Sequence, residues 1–251
     1  MKNTPKYLAA FGILIGVNIG FSQETAQLAP YTETLPNSLA KIDMVPIKGE
    51  KVKPFYIATT ETPWEVYDVF LKSGPASPAY DQTAFAPDAI ARPSKSYILP
   101  DLGWGHKGYP VINVSITSVE MFCRWLSSVT KKKYRLPTEA EWALACADKN
   151  ATEVTAWHMG NSRKMTHPVA QKEANKYGLY DILGNAGEWT TDAEGKPVLC
   201  GGTFLDELAA CTSSVRRRWE PKWQETDPQL PKSRWWLSDA PFAGFRLVCE
   251  P

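Results

Sequence analysis

Apolar positions along this chain fall into two periods, and the points where the period changes mark its elements. Residues 53–60, KPFYIATT, are apolar and β-prone and predict a strand. Trp64, Val66, Tyr67, Phe70 and Leu71 then repeat at helical spacing and predict a helix over residues 63–71. Residues 109–116 read as a short strand. Val119, Phe122, Cys123, Leu126 and Val129 put one apolar face on a helix over residues 117–129. A further helix opens at Thr138 and Glu141, which have capping-box spacing, and continues through Trp142, Leu144, Ala145 and Cys146. Beyond Lys149 the periodicity fades. Residues 151–176 read as loop, 177–189 as a turn-rich stretch, and 197–204 and 242–248 as strands.

The intervening stretches are polar and proline-dotted. Residues 72–107 show no sustained period and predict irregular backbone. Residues 23–41 read as a linker, so order is expected from about Ile42. A few short strands, two clear helices and long Trp- and Pro-rich loops predict an α+β single domain over residues 42–251, with little regular structure around one core. Ahead of it, Lys2 and Lys6 precede an apolar run over residues 7–21, with Gly20 and Ser22 placed for cleavage before Gln23. Residues 1–22 therefore read as a signal peptide, and the expected location is secreted or periplasmic, in the cell envelope. An uncleaved anchor is the alternative. No other stretch nears the roughly 20 apolar residues of a spanning helix.

Composition narrows the function. A 251-residue chain that is 43% hydrophobic and 22% charged, with a formal charge of +1, is neither disordered nor fibrous. Its only basic runs, 131–133 and 216–218, give no footprint for nucleic acid and read as solvated faces or internal ion pairs. Five cysteines in an exported chain predict two disulfides plus one buried thiol, and no spacing suits structural zinc. His106, His158 and His167 have no helical metal pairing, and no serine sits in a nucleophile elbow. Ten tryptophans read as loop-bridging core, with sugar- or peptide-binding aromatic faces as the alternative.

Residues 177–189, YGLYDILGNAGEW, carry the clearest chemistry. Asp181 and Glu188 offer hard carboxylate oxygens, and the glycines and Asn185 let the backbone curl so that carbonyls can face the same ion. The pattern suits Ca2+. Its alternative is an Asp cap plus a Glu ion pair inside a turn.

Five motifs stand in order: PFYIATTETPWEVYDVFL, PVINVSITSVEMFCRWLS, YRLPTEAEWALAC, YGLYDILGNAGEW and GGTF, followed by a terminal GFRLV. Together, over about residues 43–249, they resemble the sulfatase-modifying-factor family, whose type member is the formylglycine-generating enzyme. The resemblance implies a single-domain, calcium-stabilised fold related to C-type lectins. It also implies a calcium set of Asp181 and Glu188 through side chains and Gly184 and Ala186 through carbonyls. Gly187 stands where the family has a large or branched residue, which predicts looser packing there.

In the family two cysteines five residues apart bind Cu(I) and let O2 oxidise a substrate cysteine to formylglycine. The matching positions here are Asp206 and Cys211. One thiolate and a carboxylate do not suit Cu(I), so the pair reads as degenerate and copper is not expected. The resemblance further implies a disulfide between Cys123 and Cys249, and a second joining Cys146 to Cys211 or Cys200. The expected function is an exported, catalytically degenerate protein acting as a binding or structural component of the envelope, with a protein or glycan partner. The alternative is an active oxidoreductase, forming formylglycine or using another metal.

Overall fold

In the computed structural model, which describes residues 1, 28–72 and 99–251, two small sheets and three helices are joined by long loops. Residues 2–22 of the expected signal peptide and most of the 72–107 connection lie outside the described residues. No described helix is long and apolar enough to cross a membrane.

The first sheet has the order β1-β2-β3-β9-β4, all antiparallel, from β1 (Tyr31–Thr34), β2 (Lys41–Ile47), β3 (Phe55–Ala58), β4 (Tyr134–Arg135) and β9 (Val248–Cys249). Among the described residues regular structure starts at Tyr31, ahead of the expected Ile42, so the 23–41 segment is not linker throughout. The cause is local: Tyr31 pairs with Met44 and packs edge-on against Tyr56 at 4.9 Å, while its hydroxyl meets that of Tyr134 at 3.0 Å. The second sheet, β7-β6-β5-β8, combines β5 (Gly187–Thr191), β6 (Pro197–Cys200), β7 (Arg216–Arg217) and β8 (Ala243–Gly244).

The helices follow the apolar periods. They are α1 (Trp64–Lys72), α2 (Ile116–Thr130) and α3 (Glu139–Cys146). Ser115 caps α2 by accepting from the Ser118 amide, and Lys131 in the left-handed region at φ 61° ends it. Thr138 and Glu141 form the expected capping box, each accepting from the other's backbone amide, at 3.2 Å and 2.8 Å. Thr138→Ala is expected to cost about 1 kcal/mol in a urea unfolding series. A midpoint unchanged from the native chain would show the cap to be dispensable.

Two predicted strands are corrected. Residues 109–116 make only isolated bridges, Pro63 to Pro110 and Val114 to Trp236, because Asn113 sits at φ 60° and breaks the extended run. Residues 242–248 are two short strands in different sheets, β8 and β9, which places Arg246 between the sheets at 0% exposure.

Two apolar clusters fill the interior. In the first, Phe122 of α2 meets Tyr67, Phe70, Trp125 and Phe245 with ring centroids 5.4–5.7 Å apart. The second gathers Trp142, Cys146, Leu179, Ile182, Val198, Cys200 and Cys211 beneath the 177–189 turn. Trp64, Trp125, Trp142, Trp189, Trp223, Trp235 and Trp236 are buried, so most tryptophans are core, while Trp219 is exposed.

Candidate functional site

The 177–189 turn relies on positive-φ backbone at Gly178, Asp181, Gly184 and Asn185. Gly184 has φ 88°, and a Cβ there would lie 2.4 Å from the Trp157 carbonyl, so only glycine fits. Asn185 at φ 46° donates its amide to that same carbonyl at 2.8 Å. Gly187 opens β5, and the space where a side chain would sit is taken by Leu199, whose Cδ2 would lie 2.7 Å from a Cβ placed there. The packing expected to be loose there is therefore filled from β6.

This turn brings three carboxylates and one guanidinium into the interior. Glu188 Oε1 accepts from Arg246 Nε at 2.9 Å and Nη2 at 2.7 Å, and its Oε2 accepts from the Trp142 indole at 2.7 Å. Arg246 also donates to the carbonyls of Ala58 and Tyr180 at 3.0 Å and 2.6 Å. Glu61 Oε1 accepts from the Ala186 amide at 2.7 Å and Oε2 from Asn185 Nδ2 at 2.8 Å. Asp181 Oδ2 accepts from the Ala170 amide at 2.7 Å, while its Oδ1 is buried and accepts nothing from the described residues.

Electrostatics follow from that count. Burial, reinforced by the charges of Asp181 and Glu188, raises the Glu61 carboxyl well above its ordinary value, outweighing Arg246 and the Ala186 amide. Burial likewise lifts Asp181 to about 6, against the lowering effect of the Ala170 amide and Arg246. A single guanidinium does not balance three acids. Asp181 Oδ1 has no partner among the described residues and Glu188 Oε2 accepts one hydrogen bond, so these are the oxygens a hard cation would meet, although among the described residues no three Asp, Glu, His or Cys side chains are gathered to hold a metal. Glu188 Oε1, by contrast, is committed to Arg246. These contacts are those of the alternative reading of the turn: Asp181 accepts from the Ala170 amide and Glu188 makes an internal ion pair with Arg246.

Sequence reasoning missed Glu61, Trp142 and Arg246. All three lie within the quoted motifs, but no spacing in a linear sequence links residues 61, 142 and 246.

The second candidate site lies just past β6. Asp206 Oδ2 accepts from Thr203 Oγ1 at 2.9 Å and its Oδ1 from Arg217 Nη2, so both carboxylate oxygens are engaged. Its carbonyl accepts from the Met159 amide at 2.7 Å. Cys211 is fully buried, with its thiol 3.7 Å from the Thr203 carbonyl and against Gly202. Burial first, then the Asp206 charge, pushes that thiol up to about 11, away from thiolate character. Cys200 stands on β6 with its sulfur 3.3 Å from Thr190 Oγ1, and burial lifts it to about 11 as well.

The expected disulfides are not formed. Cys123, Cys146, Cys200, Cys211 and Cys249 are all free and buried. Four of the sulfurs have local oxygen partners instead: Cys146 the Asp148 carbonyl, Cys200 the Thr190 hydroxyl, Cys211 the Thr203 carbonyl and Cys249 the Glu250 carbonyl. Alkylation of the full chain should therefore be slow when native and label every cysteine once denatured without reductant. A cysteine that labels only after reduction would contradict the free-thiol arrangement.

The remaining singled-out residues are held separately. His106 lies between Asp101 and Asp68 at 2.9 Å and 3.2 Å, His158 meets Glu153 at 3.0 Å, and His167 stacks on Trp157 at 3.7 Å. The basic runs form ion pairs: Lys132 with Glu33, Lys133 with Glu250, Arg216 with Glu139, Arg217 with Asp206 and Arg218 with Asp192.

A single α+β domain with few helices, closed by loops around a buried polar turn, is the class that this fold and site define. The chain belongs to the sulfatase-modifying-factor family: residues 17–250 match the sulfatase-modifying factor enzyme 1-like domain. It is 32% identical over 107 residues to the formylglycine-generating enzyme of Bos taurus, covering 34% of this chain and 27% of that protein. It is 28% identical over 124 residues to inactive C-alpha-formylglycine-generating enzyme 2 of Bos taurus, covering 39% of each. The matched stretches thus span well under half the length of these relatives. Treponema denticola variable protein 1 shares the fold with a TM-score of 0.62 at 21% identity, covering 90% of this chain and all of that one.

Proposed function

We propose that this protein is an exported, calcium-stabilised member of the family that has lost formylglycine synthesis and acts as a binding or structural component of the cell envelope. The observation that carries this reading is Asp206. At the position of one copper-binding cysteine it is tied to Arg217 and Thr203, and the matching Cys211 is a buried thiol of raised pKa. A hard carboxylate already neutralised by a guanidinium, beside a protonated thiol, is a poor Cu(I) site and offers no dithiol for redox exchange. That the family holds both active and inactive relatives supports the same reading.

Calcium would be held by Asp181 and Glu188 side chains with the Gly184 and Ala186 carbonyls. Bound there, it supplies positive charge to a turn whose acids outnumber its single buried arginine. The signal-like segment over residues 1–22 supports export. The partner is a protein or a glycan of the envelope.

Elemental analysis of the purified chain tests the metal side. Calcium without stoichiometric copper or iron is expected, and a full equivalent of copper or iron would overturn the reading in favour of an active oxidase. The catalytic side is tested with a sulfatase-motif peptide, CxPxR, supplied with Cu(I) and O2, for which no aldehyde is expected.

A further inference from the structure

Two Asn-X-Ser/Thr triplets occur in the chain, Asn113-Val114-Ser115 and Asn150-Ala151-Thr152, and the fold treats them oppositely. Asn113 is at 0% exposure, its Nδ2 donates to the Pro100 carbonyl at 3.4 Å, and Ser115 is the buried cap of α2. Asn150 is exposed in the loop after α3, and among the described residues no hydrogen bond engages its side chain. Thr152, which completes the triplet, is exposed as well. We propose that Asn150 is an acceptor for an N-linked glycan, with Asn113 left bare. In the cell this rests on the export proposed above, since the sugar donor is presented on the far side of the membrane that the chain would cross.

The transfer is a substitution with no change of oxidation state. Asn150 Nδ2 attacks the anomeric carbon of a lipid pyrophosphate-linked oligosaccharide, so that an N–C bond forms as the C–O bond to the pyrophosphate breaks. The lipid pyrophosphate leaves with the electron pair, and the amide gives up one proton to a base of the transferase. What the fold adds is the cost of presenting each triplet. Around Asn150 the backbone is pinned by the Ala151 amide on the Cys211 carbonyl and the Ser213 amide on the Lys149 carbonyl, both at 2.9 Å, while Thr152 Oγ1 meets Thr155 Oγ1 at 3.0 Å. Lifting this triplet into an enzyme breaks those few contacts at an exposed loop. Lifting Asn113 would uncap α2 and open the core.

The test incubates the purified full chain with an oligosaccharyltransferase and its lipid-linked oligosaccharide, once native and once diluted from urea into the reaction. The second arm offers the triplet before residues 211–213 dock on it. Neither arm needs export, so a bare chain counts against the site and leaves the export reading standing; that reading is tested separately by whether the exported chain begins at Gln23. Peptide mapping should place one glycan on Asn150. Transfer to the refolding chain alone would still support the site and show that the sugar is added before those residues dock. Asn150→Gln and Thr152→Ala, both at exposed positions, should abolish the transfer, and Thr152→Ser should keep it. The proposal falls if neither the native nor the refolding chain gains a glycan, if the glycan maps to Asn113 instead, or if Asn150→Gln or Thr152→Ala leaves the transfer unchanged.

Discussion

Arg246→Met is expected to lower the stability of the chain by about 3–5 kcal/mol, the usual cost of removing one partner from a buried ion pair. Arg246 and Glu188 are both at 0% side-chain exposure and meet through two hydrogen bonds, so the charge left behind has no water to receive it. The loss goes beyond one pair. Arg246 also faces Glu61 and Asp181, and it ties the carbonyls of Ala58 and Tyr180 from two separate segments. The double variant Arg246→Met, Glu188→Gln should regain part of the loss, because the orphaned charge is then removed. Urea unfolding midpoints of the three chains measure this. An Arg246→Met midpoint within error of the native one would show that the interior carboxylates do not depend on that guanidinium.

Asp181→Asn is expected to remove two responses at once. Burial raises the native carboxyl to about 6 from an unfolded value near 3.8, so the native state holds its proton more tightly than the unfolded chain. The sign follows. Any stability linked to this group is fully present below the unfolded value and is lost as pH rises through about 6. In EDTA the native chain should therefore gain about 2 kcal/mol relative to Asp181→Asn between pH 7 and pH 4. Carboxyls held low by partners, such as Glu141 beside Arg135 and Asp192 beside Arg218, oppose this trend in both chains and cancel in the difference. At pH 7, calcium should raise the melting temperature of the native chain and leave that of the variant nearly unmoved. A calcium shift that survives in Asp181→Asn would remove this residue from the ligand set.

The helices were legible because each is a local matter. An apolar stripe and a cap specify α2, while α3 is marked by its cap, the capping box of Thr138 and Glu141 formed as its spacing predicted. The strands were less so. Two-residue strands such as β4, β7 and β8 have no period to read, and they exist because a distant partner is already in place. Tyr31 shows the same limit, since its segment looks like linker until Tyr56 and Tyr134 are brought beside it.

The candidate site divides in the same way. Asp181, Gly184 and Glu188 lie in one turn and were visible from their chemistry. Arg246, Glu61 and Trp142, which decide the charge state of that turn and how many oxygens remain free, come from three other motifs. Likewise Asp206 was visible as a departure from the two-cysteine pattern. That it is held by Arg217, from one of the basic runs read as solvated faces or internal pairs, needed the fold.

Loss of formylglycine synthesis is tested most directly by incubating the purified full chain with a CxPxR peptide, Cu(I) and O2, and probing the peptide for aldehyde by hydrazide capture and mass spectrometry. With Asp206 bound to Arg217 and Thr203 and Cys211 buried as a thiol, the peptide is expected to keep its cysteine, with no aldehyde above a control lacking the protein. Copper-dependent aldehyde formation that grows with protein concentration would contradict the reading and return this chain to the active oxidases of its family.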